Sequence, residues 1–313
     1  MRILVSGGAG FIGSHVVDAY IAAGHQVAIL DNFSTGRESN VNPSATVHRA
    51  DLRDKPEVEK AVAAFRPEVV NHHAAQSEVP KSVADPSFDA QVNIVGGINL
   101  LKACVDHSVR KVIFSSTGGA LYGEPDVVPA DEDHPVRPLS PYGTSKLSFE
   151  HYLGTFQRTF GLAYTVLRYA NVYGARQDFY AEEGRVVAIF ASRMLERKPV
   201  TIDGDGEQSR DMLHVGDVAT ANLAALEKGS GGTFHVSSGA LVSINDLFRK
   251  LALLTDYDLE PHHGPPRKGD VYRIALDNSR ARQGLGWEPR FSLEEGLSLT
   301  VDYFREQVAT PRT

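Results

Sequence analysis

The sequence predicts an α/β protein: a Rossmann-type, doubly wound parallel sheet with a smaller, discontinuous C-terminal α/β domain. In the first half of the chain, short apolar runs of strand length alternate with segments of helical periodicity, and a glycine-rich turn follows the first run. This alternation indicates βαβ units, whose strands pair in parallel and carry helices on both faces of the sheet. A length of 313 residues suffices for one large or two interlocked domains with a substantial hydrophobic core.

The predicted elements follow one another in chain order. The strand-length apolar runs cover residues 3–5, 27–30, 69–70, 112–114 and 164–167. The helical segments cover about residues 12–23, 54–65, 88–108, 142–160 and 185–198. The later chain is less regular and rich in glycine and proline turns, although a helix near 216–228 and a strand near 233–236 still fit the sheet.

The return of sheet-like segments late in the chain predicts two interleaved domains. We expect residues 1–170 plus about 214–236 to form the dinucleotide-binding Rossmann domain. Residues from about 171–213 plus 237–313 would form the second domain. Open α/β sheets bind ligands at the carboxyl ends of their strands, so we expect the second domain to lie over that edge.

Composition and charge exclude several functional classes. Hydrophobic residues make up 42% of the chain and charged residues 23%, which is typical of a globular enzyme. The formal net charge is -7 and the basic residues are scattered, so we expect no nucleic-acid partner. Cys104 is the only cysteine, which excludes an internal disulfide and fits a reducing compartment. The N-terminal residues lack the long apolar stretch of a signal peptide or membrane span, so we expect a cytoplasmic enzyme without a membrane partner.

The motif GGAGFIG, residues 7–13, predicts a dinucleotide site. It follows the first strand and opens the first helix, the context that such a fingerprint requires. Gly7, Gly10 and Gly13 allow a tight turn, close approach of backbone N–H groups to a pyrophosphate, and close packing of helix on strand. Asp31 ends the second strand, where its carboxylate can accept hydrogen bonds from the adenosine ribose and repel the extra phosphate of NADP. The expected cofactor is therefore NAD.

A tyrosine and a lysine one helical turn apart predict an acid–base pair. In PYGTSK, Tyr142 and Lys146 share a helix face. A neighbouring ammonium and a positive nicotinamide ring both favour the phenolate, so Tyr142 can take up a proton. The hydroxyls of SSTGGALYG, at Ser116 and Thr117, end the preceding strand and can hold the reacting hydroxyl of a substrate.

With these motifs in place, the sequence resembles the extended short-chain dehydrogenase/reductase family and, within it, the UDP-glucose (UDP-galactose) 4-epimerases. The resemblance spans nearly the whole chain and includes LDNFSTG (30–36), HHAAQ (72–76), LRYANVYG (167–174), GDGEQSRDMLHVGDV (204–218) and RKGD (267–270). Besides the three glycines, it implies a set of NAD contacts: Phe11, Ile12, Asp31, Asn32, Ser34, Thr35, Gly36, Asp51, Leu52, Ala74, Ala75, Asn93, Tyr142, Lys146 and Ala170. It also implies a nucleotide-sugar site formed by Thr117, Tyr142, Asn171, Arg210, Arg267 and Asp270.

The resemblance implies an isomerase that inverts C4 of a UDP-hexose through a transient 4-keto sugar, without net consumption of NAD. It also implies a homodimer that pairs the helices near 88–108 and 142–160. The GG stretch is one residue longer than in the best-known epimerases, so the catalytic hydroxyl is Thr117 with Ser116 as the alternative.

Three other functions stay open at this point. A UDP-N-acetylhexosamine or UDP-uronate epimerase is one, and the resemblance puts Ile274, a medium-sized apolar residue that leaves N-acetylated sugars open, at the gate for the sugar's 2-substituent. A dehydratase of the same family carries an acidic residue soon after the catalytic threonine, where this chain has Gly118 and Gly119. A non-catalytic NAD sensor would not need Tyr142, Lys146 and the hydroxyls together. No metal is expected, because His72 and His73 are adjacent on an extended chain and point in opposite directions.

Overall fold

The computed structural model describes residues 1–178, 185–266 and 271–309. Its strands, in chain order, are β1 (Arg2–Ser6), β2 (Gln26–Asp31), β3 (Thr46–Arg49), β4 (Val69–His72), β5 (Lys111–Thr117), β6 (Ala163–Tyr169), β7 (Asn171–Tyr173), β8 (Thr201–Asp203), β9 (Ser209–Arg210), β10 (Met212–His214), β11 (Gly232–Val236), β12 (Val242–Ser243), β13 (His262–Gly264) and β14 (Arg273–Ile274). Its α-helices are α1 (Phe11–Ala22), α2 (Lys55–Phe65), α3 (Val79–Ala84), α4 (Pro86–Ala90), α5 (Gly97–Asp106), α6 (Pro141–Phe160), α7 (Val186–Leu195), α8 (Val215–Ala225), α9 (Ile244–Thr255), α10 (Ser279–Leu285) and α11 (Leu293–Ala309).

Seven parallel strands form the main sheet, in the order β11-β6-β5-β4-β1-β2-β3. This confirms the predicted Rossmann-type fold class. The strand order reverses at β1, which pairs with both β2 and β4. In open α/β sheets such a reversal opens a crevice at the carboxyl ends of the strands. The glycine turn after β1 and the HHAAQ segment after β4 both lie at this crevice.

Two apolar clusters cover the faces of the main sheet. On one face, Val17 and Tyr20 of α1 pack with Val218 of α8 and with strand residues, all of them buried. On the other face, Leu100 of α5 and Phe149 of α6 pack with α2 and the opposite side chains of the strands. Complete burial of such side chains stabilises the fold by about 1.5–3 kcal/mol each.

The later part of the chain forms a third apolar cluster around helices α7, α9 and α11. Leu247 and Leu251 of α9 and Phe304 of α11 are its fully buried centre. Three small sheets border this cluster: β10-β7, β12-β9-β14 and β13-β8. Their strands have only two or three residues, too few for a recognisable sequence periodicity.

The packing of one late segment differs from the predicted domain division. Residues 279–287 fall in the predicted second domain, yet Ala281, Leu285 and Trp287 are buried in the apolar cluster that α1 and α8 form on the main sheet. The indole N–H of Trp287 donates to the Asp217 carbonyl at 3.1 Å and to Thr220 Oγ1 at 2.9 Å. The boundaries stay a prediction, and this packing favours counting the segment with the Rossmann domain.

The predicted helix at 88–108 is observed as a composite of α4, a π-helix at Gln91–Gly96 and α5. A π segment inserts an extra residue per turn and is often found at functional sites. Among the described residues, no helix combines the length and apolar composition that a membrane crossing needs.

Replacing Gly97 with alanine is expected to destabilise the protein. A Cβ at Gly97 would lie 2.3 Å from Cε2 of Phe149. The Phe149 ring is itself held by Phe114 and His72, at centroid distances of 4.6 Å and 5.1 Å. Such overpacking lowers the free energy of unfolding by about 1–3 kcal/mol, measurable by urea denaturation.

Gly154→Ala, also on a helix of this layer, is the matched control. Its Cβ would have 3.3 Å to the nearest atom, the flexible Arg158 guanidinium. Removing a glycine from a helix interior stabilises by about 0.5–1 kcal/mol. Equal effects of the two substitutions would contradict the tight α5–α6 contact.

Candidate active site

The glycine turn after β1 forms a cradle that admits no side chain at two positions. Gly7 has φ +72°, and a Cβ there would lie 2.5 Å from the backbone nitrogen of Ala74. A Cβ at Gly13 would lie 2.1 Å from the Gly7 carbonyl oxygen. Gly10 is the N-cap of α1 and supplies no side-chain cap. The first backbone N–H groups of α1 therefore face the crevice without a capping side chain, an arrangement suited to a phosphate.

Asp31 is held rigidly at the end of β2. Its carboxylate accepts hydrogen bonds from the backbone N–H groups of Ala9 at 3.0 Å and Phe33 at 2.8 Å. A Cβ at Gly36 would lie 3.0 Å from Asp31 Oδ1. The glycine turn and the LDNFSTG loop thus fix the carboxylate at the edge of the cradle.

Asp51 is bound by its neighbours rather than left open toward the crevice. The Arg53 guanidinium donates to it at 2.9 Å and 2.8 Å, and Asn32 Nδ2 donates at 2.9 Å. The hydrogen bonds from Arg53 hold the pKa of Asp51 well below its usual range. The carboxylate therefore stays ionised, and its contact with an adenine stays a prediction.

The other residues of the expected NAD set vary in exposure. Leu52 and Asn93 are buried, whereas Ser34 and Thr35 are exposed. The remaining ones are half-buried: Phe11, Ile12, Gly36, Ala74, Ala75 and Ala170. Both functional groups of the Asn93 amide are engaged within the protein, because it exchanges two hydrogen bonds of 2.9 Å with the backbone of Gln76.

The start of α6 places the predicted acid–base pair at the end of β5. Ser140 caps the helix by accepting a hydrogen bond from Gly143 N at 3.2 Å, and Pro141 occupies the first turn. The Thr117 side chain lies close enough to the Tyr142 hydroxyl to lower its pKa. Lys146 Nζ donates to the Ser115 carbonyl at 2.9 Å. The end of β5 and one face of α6 therefore form a single site.

Burial dominates the electrostatics of this pair. Burial raises the pKa of Tyr142 above its usual value, and the negative charge of Asp89 raises it further, while the hydrogen bond from Thr117 lowers it. Burial also lowers the pKa of Lys146 to about 8, against the opposing effects of Asp89 and Glu150. The sequence led us to expect that Lys146 favours the phenolate. The Lys146 ammonium instead donates to a backbone carbonyl and lies 5.9 Å from the Tyr142 ring centroid. Burial, which disfavours the phenolate, therefore outweighs the stabilisation of the phenolate by Lys146.

The structure separates the two candidate hydroxyls. Successive side chains of a strand point to opposite faces, and Thr117 is the one that meets Tyr142. Ser116 Oγ instead donates to Glu150 at 2.5 Å. Glu150 forms a buried ion pair with Arg168 at 2.6 Å. This geometry favours Thr117 as the hydroxyl that faces a substrate and gives Ser116 a structural contact.

The adjacent histidines occupy two different environments. His72 Nδ1 and Ser6 Oγ are hydrogen-bonded at 2.7 Å, and burial lowers the pKa of His72 well below its ordinary value. His73 stacks on Tyr169 with a centroid distance of 6.2 Å. Within residues 1–178, 185–266 and 271–309, no group of three or more His, Cys, Asp or Glu side chains could hold a metal ion.

Two more of the expected sugar-nucleotide residues lie in described strands, and Asn171 is the one placed next to the stretch after Thr117. Asn171 begins β7, and its Oδ1 lies 3.5 Å from the position that a Cβ of Gly119 would take. Arg210 lies in β9 opposite Ile274, and its guanidinium donates to the Ser209 carbonyl at 3.0 Å. Arg267 and Asp270 lie outside the described residues.

Sequence reasoning missed several residues around the site. Glu150 follows Lys146 by four positions, so helical spacing was an available signal. Asp211 follows Arg210 and fixes the neighbouring backbone by accepting hydrogen bonds from the N–H groups of Ser238, Gly239 and Leu276. Asp89 is separated from Ser145, its partner on α6, by 56 positions, and no local pattern indicates that contact.

Known proteins resemble the chain over nearly its full length. The model of the NAD dependent epimerase/dehydratase family matches residues 3–237. A putative UDP-glucose 4-epimerase of Methanocaldococcus jannaschii is 44% identical, covering 98% of this chain and 100% of the relative. The crystal structure of Thermotoga maritima UDP-glucose 4-epimerase with UDP-glucose is 51% identical with a TM-score of 0.97, covering 98% of this chain and 100% of that one. That of Thermus thermophilus UDP-glucose 4-epimerase with NAD is 46% identical with a TM-score of 0.92, covering 97% and 99%.

Glu150→Gln is expected to lower the free energy of unfolding by about 3 kcal/mol, because it leaves the buried Arg168 guanidinium without its counter-charge. Both side chains of this pair are only 8% exposed. Lys60→Gln, which breaks the exposed Lys60–Glu57 pair, is the control and should change stability by less than about 0.5 kcal/mol. Urea denaturation at neutral pH measures both. Similar small effects would show that the buried pair does not hold α6 on the sheet.

Proposed function

The chain belongs to the NAD dependent epimerase/dehydratase family, and on that premise we propose that it is an NAD-dependent isomerase that inverts C4 of a UDP-hexose, interconverting UDP-galactose and UDP-glucose. The observation that carries this proposal is the meeting of Thr117, Tyr142 and Lys146 at the carboxyl end of β5, beside the glycine cradle. Relatives named UDP-glucose 4-epimerase, including one solved with UDP-glucose and one with NAD, support it.

The residues at the crevice fit NAD. The cradle suits a pyrophosphate because its turn is tight enough to require glycine at positions 7 and 13 and no side chain caps the start of α1. Asp31, fixed by two backbone N–H groups, would accept hydrogen bonds from the adenosine ribose. Lys146 would reach the nicotinamide ribose. When bound, NAD would supply a hydride acceptor for C4 of the sugar and return that hydride later in the same turnover.

Tyr142 would act as the acid–base residue of the reaction. It takes the proton of the sugar 4-hydroxyl when the 4-keto sugar forms and returns a proton to the same oxygen when the sugar is reduced on its opposite face. Thr117 lies beside Tyr142 and would hold the reacting hydroxyl. Lys146, with its pKa lowered to about 8, is still mostly protonated at neutral pH and offsets the negative charge of the phenolate.

Polar residues of the later chain would bind the nucleotide sugar. Arg210 suits a diphosphate, since a guanidinium donates two parallel hydrogen bonds to such an anion. Asn171 lies beside Gly119 and would contact the sugar. We propose diphosphate binding for Arg267 and ribose or uracil contact for Asp270 from the RKGD motif alone.

The glycine pair after Thr117 favours epimerisation over dehydration. A Cβ at Gly118 would lie 2.2 Å from Cδ1 of Leu276, so the acidic side chain that a dehydratase needs would fit at position 118 only if Leu276 moved. Gly119 offers no carboxylate either. An NAD sensor without catalysis is disfavoured, because it would need neither the Tyr142–Thr117 contact nor Lys146.

We also propose that the protein is a cytoplasmic homodimer that pairs the composite helix at 86–106 and α6. Both helical stretches carry exposed apolar side chains, with Val95 50% and Tyr152 39% exposed. Between them lies a groove lined by Ala90, Ile94 and Leu139. Covering this apolar surface with a second copy would remove it from water. The lack of a nucleic-acid partner stays a prediction.

The purified protein is expected to convert UDP-galactose to UDP-glucose, followed by NMR of the sugar anomeric signals without added NAD. A 4-keto-6-deoxy product would instead identify a dehydratase. If the protein leaves UDP-hexoses unchanged but turns over a UDP-N-acetylhexosamine or a UDP-uronate, the assignment moves to that sugar. If it turns over none of these compounds, the proposed enzyme activity is contradicted.

Tyr142→Phe should lower the turnover rate by roughly 10²- to 10⁴-fold, because it removes the proton acceptor, while NAD binding persists. Thr117→Ala should lower it by roughly 10²-fold, the order expected for removing one preorganised hydrogen-bond donor, and Ser116→Ala by a smaller factor. Steady-state kinetics of the three variants test the assignment. Wild-type turnover in Tyr142→Phe, or a larger loss in Ser116→Ala than in Thr117→Ala, would overturn it.

Tyr152→Asp is expected to shift the protein from dimer to monomer in size-exclusion chromatography with light scattering, because it places a charge in the proposed interface. Leu253→Asp is the matched control, since Leu253 is 81% exposed on α9, away from that surface. It should leave the dimer intact. A wild-type protein that is monomeric at micromolar concentration would refute the dimer.

A further inference from the structure

A buried carboxylate with no assigned role lies beside the acid–base pair. Asp89, in the short helix α4, has an exposure of 0%. It accepts hydrogen bonds from Gln76 Nε2 at 3.0 Å, Asn93 Nδ2 at 3.0 Å and Ser145 Oγ at 2.5 Å. The three donors come from the loop after β4, the π-helix and α6, so three segments that meet at the crevice converge on this one group.

The partners of Asp89 are unusual because all of them are neutral. Among the described residues, Asp89 has no ion pair with Lys, Arg or His. Burial of an ionised carboxylate is costly unless opposite charge compensates it. Three donors satisfy its lone pairs but do not cancel its charge. Groups that break a local rule of stability in this way are often retained for function.

Lys146, the cation of the acid–base pair, is next in sequence to one of the three donors to Asp89. Ser145, which donates to Asp89, precedes Lys146 in α6, and Lys146 is buried. Asp89 interacts electrostatically with both Lys146 and Tyr142. Its charge therefore acts on both members of the acid–base pair.

We propose that Asp89 is a positioning residue for proton transfer: its fixed, buried carboxylate is the counter-charge that keeps Lys146 protonated and holds Tyr142 as a strong base. This role rests on the epimerase activity proposed above. Because Asp89 is fully buried, it would contact neither the sugar nor NAD and would act through the pair.

The other charged and titratable groups around the pair cannot take over this role. Glu150 of α6 also raises the pKa of Lys146, but its charge is paired with the Arg168 guanidinium of β6 at 2.6 Å. His72 and His73 of the β4 edge are kept neutral, since burial lowers the pKa of both, with that of His73 at about 3. Tyr169 of β6 is neutral as well, because burial raises its pKa. Asp89 is thus the negative charge near Lys146 that, among the described residues, has no positive hydrogen-bond partner.

Asp89 shifts the pKa of Tyr142 and the pKa of Lys146 in the same direction. A negative neighbour disfavours the phenolate and favours the ammonium, and Asp89 accordingly raises the pKa of Tyr142 and of Lys146. Removing the charge must lower both values. Because the pKa of Tyr142 lies above that of Lys146, activity that needs the phenolate and the ammonium together would have an acidic limb that breaks at the pKa of Lys146 and an alkaline limb that breaks at the pKa of Tyr142.

The test is the pH profile of kcat in Asp89→Asn. Asparagine has the same shape, can accept from Gln76 and Asn93, and can donate to Ser145, so the network can survive without the charge. Both limbs should move to lower pH by roughly one unit. Asp85→Asn is the matched control, because it makes the same substitution at the exposed N-cap of the same helix. Asparagine caps a helix as well as aspartate does. Its profile should coincide with that of the wild type.

Unmoved limbs in a folded Asp89→Asn protein, or limbs that shift to higher pH, would overturn the proposal. A spectroscopic titration separates this result from failure of the epimerase assignment. The tyrosinate absorbance that disappears on Tyr142→Phe should form at lower pH in the Asp89→Asn background, whether or not any sugar turns over. Formation at the same or higher pH would also overturn the role of Asp89.

Discussion

The site depends on the packing of one face of α6 against the last residues of β5. Tyr142, Lys146 and Glu150 follow one another at four-residue intervals, and they engage Thr117, the Ser115 carbonyl and Ser116 in turn. A four-residue spacing on a helix brings side chains onto one face, while a strand alternates its side chains, so this match fixes both elements relative to each other. Any sliding of α6 would break all three contacts at once.

This arrangement lies at the carboxyl edge of the main sheet, two strands away from β1, where the strand order reverses. The glycine cradle after β1 and the network around Asp89 after β4 border the same crevice, so the proposed cofactor and the acid–base pair meet without long-range movement. Burial then has the largest effect on the pKa values of Tyr142 and Lys146. It lowers the pKa of Lys146 to about 8 and raises that of Tyr142, and the neighbouring charges act against or with that effect. The pKa values of both side chains are therefore set first by burial and then by neighbouring charge, with Asp89 acting on both.

The Rossmann half and its glycine turn could be predicted from the sequence because their signals are local: apolar runs, helical periodicity and glycines at a strand end. The choice between Ser116 and Thr117 could not, since a shift of one residue reverses the face of a strand. Asp89 was missed because only Asn93 among its three partners is local, at four positions, whereas the other two lie 13 and 56 positions away. The small strands β7 to β10 and β12 to β14 are too short for a periodic pattern, and the packing of Trp287 on the main sheet is a tertiary contact that no local signal indicates.

The most direct test of the central claim, that α6 holds the Tyr142 phenol at the reacting hydroxyl, is a crystal structure of the protein with NAD and UDP-glucose. The account predicts a Tyr142 Oη to sugar O4 distance of about 2.6–3.2 Å, with Thr117 Oγ1 within hydrogen-bond reach of the same oxygen. A sugar bound with its 4-hydroxyl far from Tyr142, or a phenol turned away into the protein, would contradict it.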